Sequence, residues 1–254
     1  MRALHEALQN FRNQHPFDHC VVDEFFEPDI ARQLADEFPN YESPHWYVYN
    51  NKVEHKKALN NWERFPRLTY QAITLLQSRA FTYPLEEALG EELYVDHGLN
   101  GGGWHIHGTG GNLNPHLDYS IHPKMNKERV LNCIIYLASD LKPEYGGHLG
   151  FWEHDAQGSG PGLLVKEIEP RYNRAVIFNT TQNSWHGMSR RLEIPEGVYR
   201  KSLAVYYMRE PAKNTDPRGR ALFAPREDQK QDEGVLELIR LRSDVSTSST
   251  VHRT

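Results

Sequence analysis

A chain of 254 residues with 29 Lys+Arg against 34 Asp+Glu, a formal net charge of −5, is one large domain or two small ones and lacks the basic excess that charge-driven nucleic-acid binding requires. Hydrophobic residues at 38% and charged residues at 25% describe a globular protein, and no apolar run approaches the roughly 20 residues that span a bilayer. Residues 1–10 lack an apolar signal-peptide segment, and Cys20 and Cys133 sit in apolar surroundings as reduced core thiols, so a reducing, cytoplasmic setting is expected.

In chain order, residues 20–26 read as a short strand, and Pro28 opens a helix with Ile30, Leu34 and Phe38 spaced by four on one face. Residues 44–65 read as irregular, with Trp46, Tyr47, Tyr49 and Trp62 among Asn and Lys. Pro66 starts a second helix carrying Leu68, Ala72, Leu75 and Leu76, and a third fits between Pro84 and Gly90. From residue 93 helical period is lost. Gly-rich turns separate β-branched and aromatic runs at 131–137, 148–152, 163–168, 174–179 and 199–208, as in a sandwich or barrel. Residues 211–254 read as a C-terminal extension with one helix at 233–242 and a flexible Ser/Thr-rich tail over the last ten residues.

The 14 histidines prompt a search for metal ligands. In a strand, His116 and Asp118 project to one face and reach one ion together. His186, just beyond the 174–179 run, is the candidate third ligand. Two histidines and a carboxylate on one face of an octahedral ion leave three positions open, the arrangement of non-haem Fe(II) oxygenases. A lone His-x-Asp equally fits a solvated strand-end turn; the order of residues downstream favours the metal. Alternation in the 199–208 strand puts Arg200, Ser202, Ala204 and Tyr206 on one face, and Lys201, Leu203, Val205 and Tyr207 on the other. An inward Arg200 needs a carboxylate partner, and the distal carboxylate of 2-oxoglutarate suits it; taken alone, Arg200 equally fits a surface strand end.

The run from about 104 to 208 resembles the iron(II)- and 2-oxoglutarate-dependent oxygenases of the prolyl 4-hydroxylase type. The likeness is carried by His116-x-Asp118, Cys133 to Leu137, Glu144-Tyr145-Gly146-Gly147-His148-Leu149, Ile168 to Arg174, His186 and Arg200-x-Ser202; Phe17 to Phe26 is similar to the opening of many bacterial members. The resemblance implies a mainly β double-stranded β-helix, a cupin-like jelly roll, with supporting N-terminal α-helices. A single oxygenase domain would span 1–210, with 1–92 as helical support and 93–210 as the jelly-roll core. It implies Fe(II), 2-oxoglutarate and O2, with His116, Asp118 and His186 as iron ligands. Arg200 and Tyr136 take the positions that hold the 2-oxoglutarate C5 carboxylate, and Ser202 is a further candidate there. Where the family often has a tyrosine, this chain has His107, which equally fits a donor to cosubstrate or substrate and a plain strand histidine.

The implied reaction is hydroxylation of an unactivated C–H bond, with release of succinate and CO2. Asp118 fills the position that halogenating relatives leave open for chloride. Candidate substrate residues are Trp104 and His105 before the ligand strand, Tyr119 after it and Trp152 near a strand end. The 45–64 segment, with Trp46 and Lys56, fits a lid, or an ordinary solvated loop whose tryptophans anchor it to the core. Cations beside aromatic faces suit a small polar or anionic molecule, with no nucleic acid and no membrane as partner. The alternatives are a protein-residue hydroxylase, a non-catalytic cupin-like binding barrel, and a zinc hydrolase, for which no separate general base is evident.

Overall fold

The structure, a computed structural model, describes residues 2–158 and 160–244, so the tail expected over the last ten residues lies outside the described residues. Helix α1 (Arg2–Leu8), strand β1 (His19–Val22) and helix α2 (Pro28–Asp36) come first, followed by strands β2 (Tyr47–Asn50) and β3 (Glu54–Leu59). Helices α3 (Arg67–Leu76) and α4 (Arg79–Leu89) precede β4 (Tyr94–Val95), β5 (Gly103–His107), β6 (Asn112–Leu113) and β7 (His116–Leu117). The remainder is β8 (Glu128–Tyr136), β9 (Leu149–His154), β10 (Pro161–Ile168), β11 (Arg174–Asn179), β12 (Trp185–Met188), β13 (Arg200–Arg209), β14 (Leu222–Phe223) and α5 (Glu233–Ser243).

The strands form two antiparallel sheets. The major sheet runs β1-β11-β8-β13-β5-β3-β2, with β4 on β13 and β6 on β3; the minor sheet runs β10-β9-β12-β7-β14. This is the jelly roll anticipated from the sequence. Alternation decides what each face of the major sheet meets. Leu131, Cys133, Ile135, Leu203, Val205 and Tyr207 point outward into a core shared with Leu4, Leu34, Ile73, Phe81 and Leu85 of the helices. The opposite face of β8 and β11 supplies Tyr136, Val176 and Phe178, which meet Leu149, Phe151 and Ile168 of the minor sheet. Both cysteines are free in the outward core, and burial pushes the Cys20 thiol up to about 12. No helix among the described residues is long and apolar enough to cross a membrane.

Several boundaries differ from the sequence reading. Strand β1 stops at Val22 because Glu24 turns to φ 52, which takes Phe25 and Phe26 out of the sheet. Helix α2 ends at Asp36, so Phe38 is buried beyond its last turn. Helix α4 begins at Arg79 and contains Pro84, whereas its end at Gly90 (φ 71) is where expected. Residues 44–65 are not irregular: β2 and β3 form a hairpin whose second strand pairs with β5 and β6. Glu54 and Lys56 face a polar cavity rather than an apolar core, so the strand lacks the apolar alternation that marks most strands. Residues 211–244, read as an extension, lie against the jelly roll: Leu222 and Phe223 pair with Leu117 and His116 in the minor sheet. Helix α5 follows, capped by the Asp232 carboxylate accepting from the Val235 amide at 3.1 Å.

Candidate active site

Strands β7 and β12 pair with His186 directly opposite His116, so both rings rise from one face. Gly187 permits the close approach of these strands, because a Cβ there would lie 2.6 Å from the Asn114 carbonyl oxygen. Asp118 follows β7, and one potential ligand atom from each of the three residues falls within 4.8 Å of the others. His116 Nε2 is 3.8 Å from Asp118 Oδ1, and His186 Nε2 is 3.8 Å from Asp118 Oδ2. Each ring points its Nδ1 at a backbone carbonyl, His116 at Asn114 (2.9 Å) and His186 at Ser184 (2.8 Å). A proton on Nδ1 leaves the Nε2 lone pair free for a metal. Burial pulls His116 down to about 3 and also lowers His186, so both rings are neutral near pH 7.

Burial would raise Asp118, but Arg129, His186 and His116 outweigh it and hold the carboxyl at about 2. Arg129 Nη1 lies 3.3 Å from Asp118 Oδ1, and its guanidinium sits between the Tyr119 and Tyr206 rings, 3.6 and 3.5 Å from their centroids. Asp118 Oδ2 is buried with no hydrogen-bond partner. Two neutral imidazoles, a charged carboxylate and an unpartnered buried oxygen fit a divalent ion.

Deeper in the same cavity, β13 turns Arg200, Ser202, Ala204 and Tyr206 inward, the register expected from alternation. Arg200 donates from Nε to the Gly147 carbonyl (2.9 Å) and from Nη2 to the Tyr136 hydroxyl (3.3 Å). Gly147 has φ +71, and a Cβ there would lie 2.6 Å from the Leu192 side chain, so the Gly-Gly turn is what brings this carbonyl to Arg200. His107 lies directly opposite Arg200 across the strand pair, and neither of its buried ring nitrogens has a partner. Burial, then Arg200 and Lys56, hold His107 well below the usual imidazole range, and hence neutral. Ser202 lies between Tyr136 on β8 and His105 on β5. The whole cavity holds about 570 Å³.

Of the candidate substrate residues, His105, Tyr119 and Lys56 line this cavity. Trp104, Trp46 and Trp152 do not. Trp104 alternates with His105 and His107 and points outward, packed on Phe38, Phe65 and Trp46. Trp46 is buried in that same core, its indole donating to the Asn40 carbonyl at 2.9 Å. Trp152 packs with Leu117, Trp185 and Ala224. Period-2 alternation over 103–107 was enough to separate Trp104 from its two histidine neighbours.

The sequence reading missed Arg129, Glu54, Asn114 and the C-terminal residues Phe223, Gln229 and Arg242. Arg129 did carry a signal, being a lone cation at the head of an otherwise apolar strand. The others did not, since their partners are distant in sequence. Asn114 donates to the Ala224 carbonyl (3.0 Å) and to Gln229 Oε1 (2.6 Å), and the Phe223 ring stacks on His116 at 5.1 Å.

The fold and this constellation match the pattern of an iron(II)- and 2-oxoglutarate-dependent dioxygenase. Residues 102–209, which span the His-Asp-His set and the inward face of β13, match the 2OG-Fe(II) oxygenase superfamily. The structure is similar to a Pseudomonas putida prolyl-4-hydroxylase (TM-score 0.59, 15% identity, covering 82% of this chain and 99% of that one). It is also similar to a Trichoplax adhaerens prolyl hydroxylase in complex with a hypoxia inducible factor peptide fragment (TM-score 0.59, 15% identity, 81% and 89%). HygX from Streptomyces hygroscopicus, with nickel, 2-oxoglutarate and hygromycin B bound, is a third (TM-score 0.54, 13% identity, 80% and 86%). No curated protein sequence matches this chain. By fold the chain is similar to prolyl 4-hydroxylases, and the match over residues 102–209 together with the His-Asp-His set supports a 2-oxoglutarate-dependent dioxygenase with Fe(II) as cofactor.

Proposed function

We propose that the protein hydroxylates an unactivated C–H bond of a small polar molecule, consuming O2 and 2-oxoglutarate and releasing succinate and CO2. The observation that carries this reading is one cavity lined both by the His116, Asp118 and His186 donors and by Arg200 and His107, with Tyr136 hydrogen-bonded to Arg200. Iron(II), when bound, supplies oxidation of the C–H bond by dioxygen coupled to decarboxylation of 2-oxoglutarate.

The protein's own groups supply the rest. His116 and His186 offer Nε2 donors whose orientation is fixed through Nδ1. Arg129 keeps Asp118 anionic and therefore a ligand. Arg200, with two of its nitrogens committed to Gly147 and Tyr136, presents the remaining donors to the distal carboxylate of 2-oxoglutarate. Ser202 and the neutral His107 offer further hydrogen bonds on the same wall. Phe178 and Phe223 cover the His186 and His116 rings and limit water around them. Asp118 occupies the position a halide would need, which favours oxygen transfer over halogenation.

A small molecule suits a cavity of about 570 Å³ lined by Tyr49, Glu54 and Lys56 of the β2–β3 hairpin and by Pro217, Arg220 and Phe223 of the C-terminal segment. The buried thiols agree with a reducing cytoplasm. A peptidyl substrate is the second reading, favoured by the likeness to prolyl hydroxylases. The test is succinate formation from 2-oxoglutarate with added Fe(II) across a panel of amino acids, sugars and proline-containing peptides. Product mass is then read under 18O2 in high chloride. One labelled oxygen in a small-molecule product is the expected result. Turnover of peptides alone would replace the substrate class, and a chlorinated product would overturn hydroxylation.

A further inference from the structure

Seven charged side chains line the cavity: Lys56, Arg129, Arg200, Arg220 and Arg242 against Glu54 and Asp118. Arg129 is matched by Asp118, and Arg200 stands at the cosubstrate wall. Iron(II) and 2-oxoglutarate, equal and opposite in charge, leave the excess of positive charge unaltered. That excess, Lys56, Arg220 and Arg242, gathers around Glu54 and Tyr49 at one part of the cavity lining. Glu54 is a single carboxylate shared by Lys56 at 3.0 Å and Arg242 at 2.5 Å. Arg220, half-buried nearby, forms no salt bridge among the described residues. Arg242 is only 6% exposed, yet its Nη1 is buried with no hydrogen-bond partner among the described residues, as is Nε of Arg220. Buried guanidinium donors left unmade carry a substantial desolvation cost, which an anionic oxygen group would remove.

The placement relative to the metal-ligand set is also defined. The Arg242 guanidinium lies 4.3 Å over the Phe223 ring, which stacks on His116 at 5.1 Å. One aromatic ring therefore separates the cationic mouth from a metal-ligand histidine. A small molecule anchored at the mouth extends past Phe223 toward that site.

We propose that Arg220, Arg242 and Lys56 form a substrate-anion subsite, so that the molecule oxidised here carries a phosphate or carboxylate group. This rests on the oxygenase reading of the cavity. It separates this mouth from one built for a neutral peptide or a polycationic sugar, either of which would leave these cations uncompensated.

The test is calorimetric titration of methyl phosphate, and in a second arm acetate, into full-length protein loaded with Mn(II) and 2-oxoglutarate at matched ionic strength. Saturable binding is expected in the wild type, weakened at least about tenfold in Arg220→Ala and in Arg242→Gln and largely recovered in Arg220→Lys. The tighter of the two probes identifies the anion. Arg220 has no ion pair to lose among the described residues, so its variants carry the test if Arg242→Gln unfolds helix α5. No binding of either probe, binding indifferent to both changes, or displacement of 2-oxoglutarate by the probe would each overturn the subsite. Failure of 2-oxoglutarate itself to bind with Mn(II) would instead sink the oxygenase reading, and is read in the same instrument before any probe is added. In turnover, a sugar phosphate or amino acid should release succinate faster than the free sugar or the amide; a preference for the uncharged partner counts against the subsite.

Discussion

The two ends of the cavity are built from different parts of the chain. The inner end belongs to central, fully paired strands: β8 and β13 carry Tyr136, Arg200 and Ser202, and β12 carries His186. The mouth is assembled from the β2–β3 hairpin and a C-terminal segment held by α5. Central strands fix side-chain direction to the pleat and give the reacting groups a rigid frame. Hairpins and termini tolerate change at lower cost, and here they carry the cations of the proposed anion subsite. The candidate metal ligand His186 and the Arg200 wall thus sit on well-paired strands, and the proposed anion subsite on a hairpin and a C-terminal segment.

The sharpest test of that division lies at the inner end. His116→Ala, Asp118→Ala and His186→Ala each remove one of three donors and should lower succinate production by at least ~100-fold, while melting temperature stays near wild type, since a domain this size does not depend on a metal to fold. Near-normal activity in His186→Ala would move the third ligand elsewhere. Arg200→Ala should raise the apparent KM for 2-oxoglutarate by roughly tenfold to a hundredfold. Lys201→Ala should leave it unaltered, because Lys201 points outward and donates to the Ala35 carbonyl. The reverse ranking would mean that β13 presents its other face.

Gln229→Ala probes the link between the two ends, since Gln229 holds Asn114, whose carbonyl orients His116. Metal affinity should fall by about tenfold in a Mn(II) titration; unchanged affinity would reduce Gln229 to a structural contact. At the hairpin, Trp46→Phe should cost on the order of 1 kcal/mol of stability in urea unfolding with substrate preference intact, because Trp46 lies in the outer core. A change in substrate preference there would return Trp46 to the site.

A further effect is with pH. Folded His116 stays neutral down to about 3, whereas an unfolded imidazole takes a proton near 6.5, so protons favour the unfolded chain. The contribution is complete above 6.5 and declines as pH falls toward 3. Asp118 acts in the same direction at lower pH, its contribution being lost as pH falls from 3.8 through about 2. The metal-free protein should lose on the order of 5 °C in melting temperature between about pH 7 and pH 5. A flat profile would show that the buried imidazoles accept protons at no cost.

Much of the inner end was legible in the chain itself, and the physical reason is locality. His116 and Asp118 are two residues apart, and the inward set Arg200, Ser202, Ala204 and Tyr206 follows from a strand's period of two. Helices α2 and α3 follow from apolar spacing and a proline at their start, and the two cysteines from the apolar runs around them. Local pattern ceased to inform where burial and polarity part company. Strand β3 faces a charged cavity, so its Glu54-His55-Lys56-Lys57 resembles a solvated loop. Trp46, Trp104 and Trp152 are large aromatics near the site in sequence but packed away from it in space. Only the tertiary structure could decide the remainder: Arg242 reaches Glu54 across 188 residues, Phe223 stacks on His116, and Arg129 meets Asp118. No short-range pattern encodes such pairs, because each exists only once the sheets have closed and brought into contact side chains whose own neighbours in sequence say nothing of them.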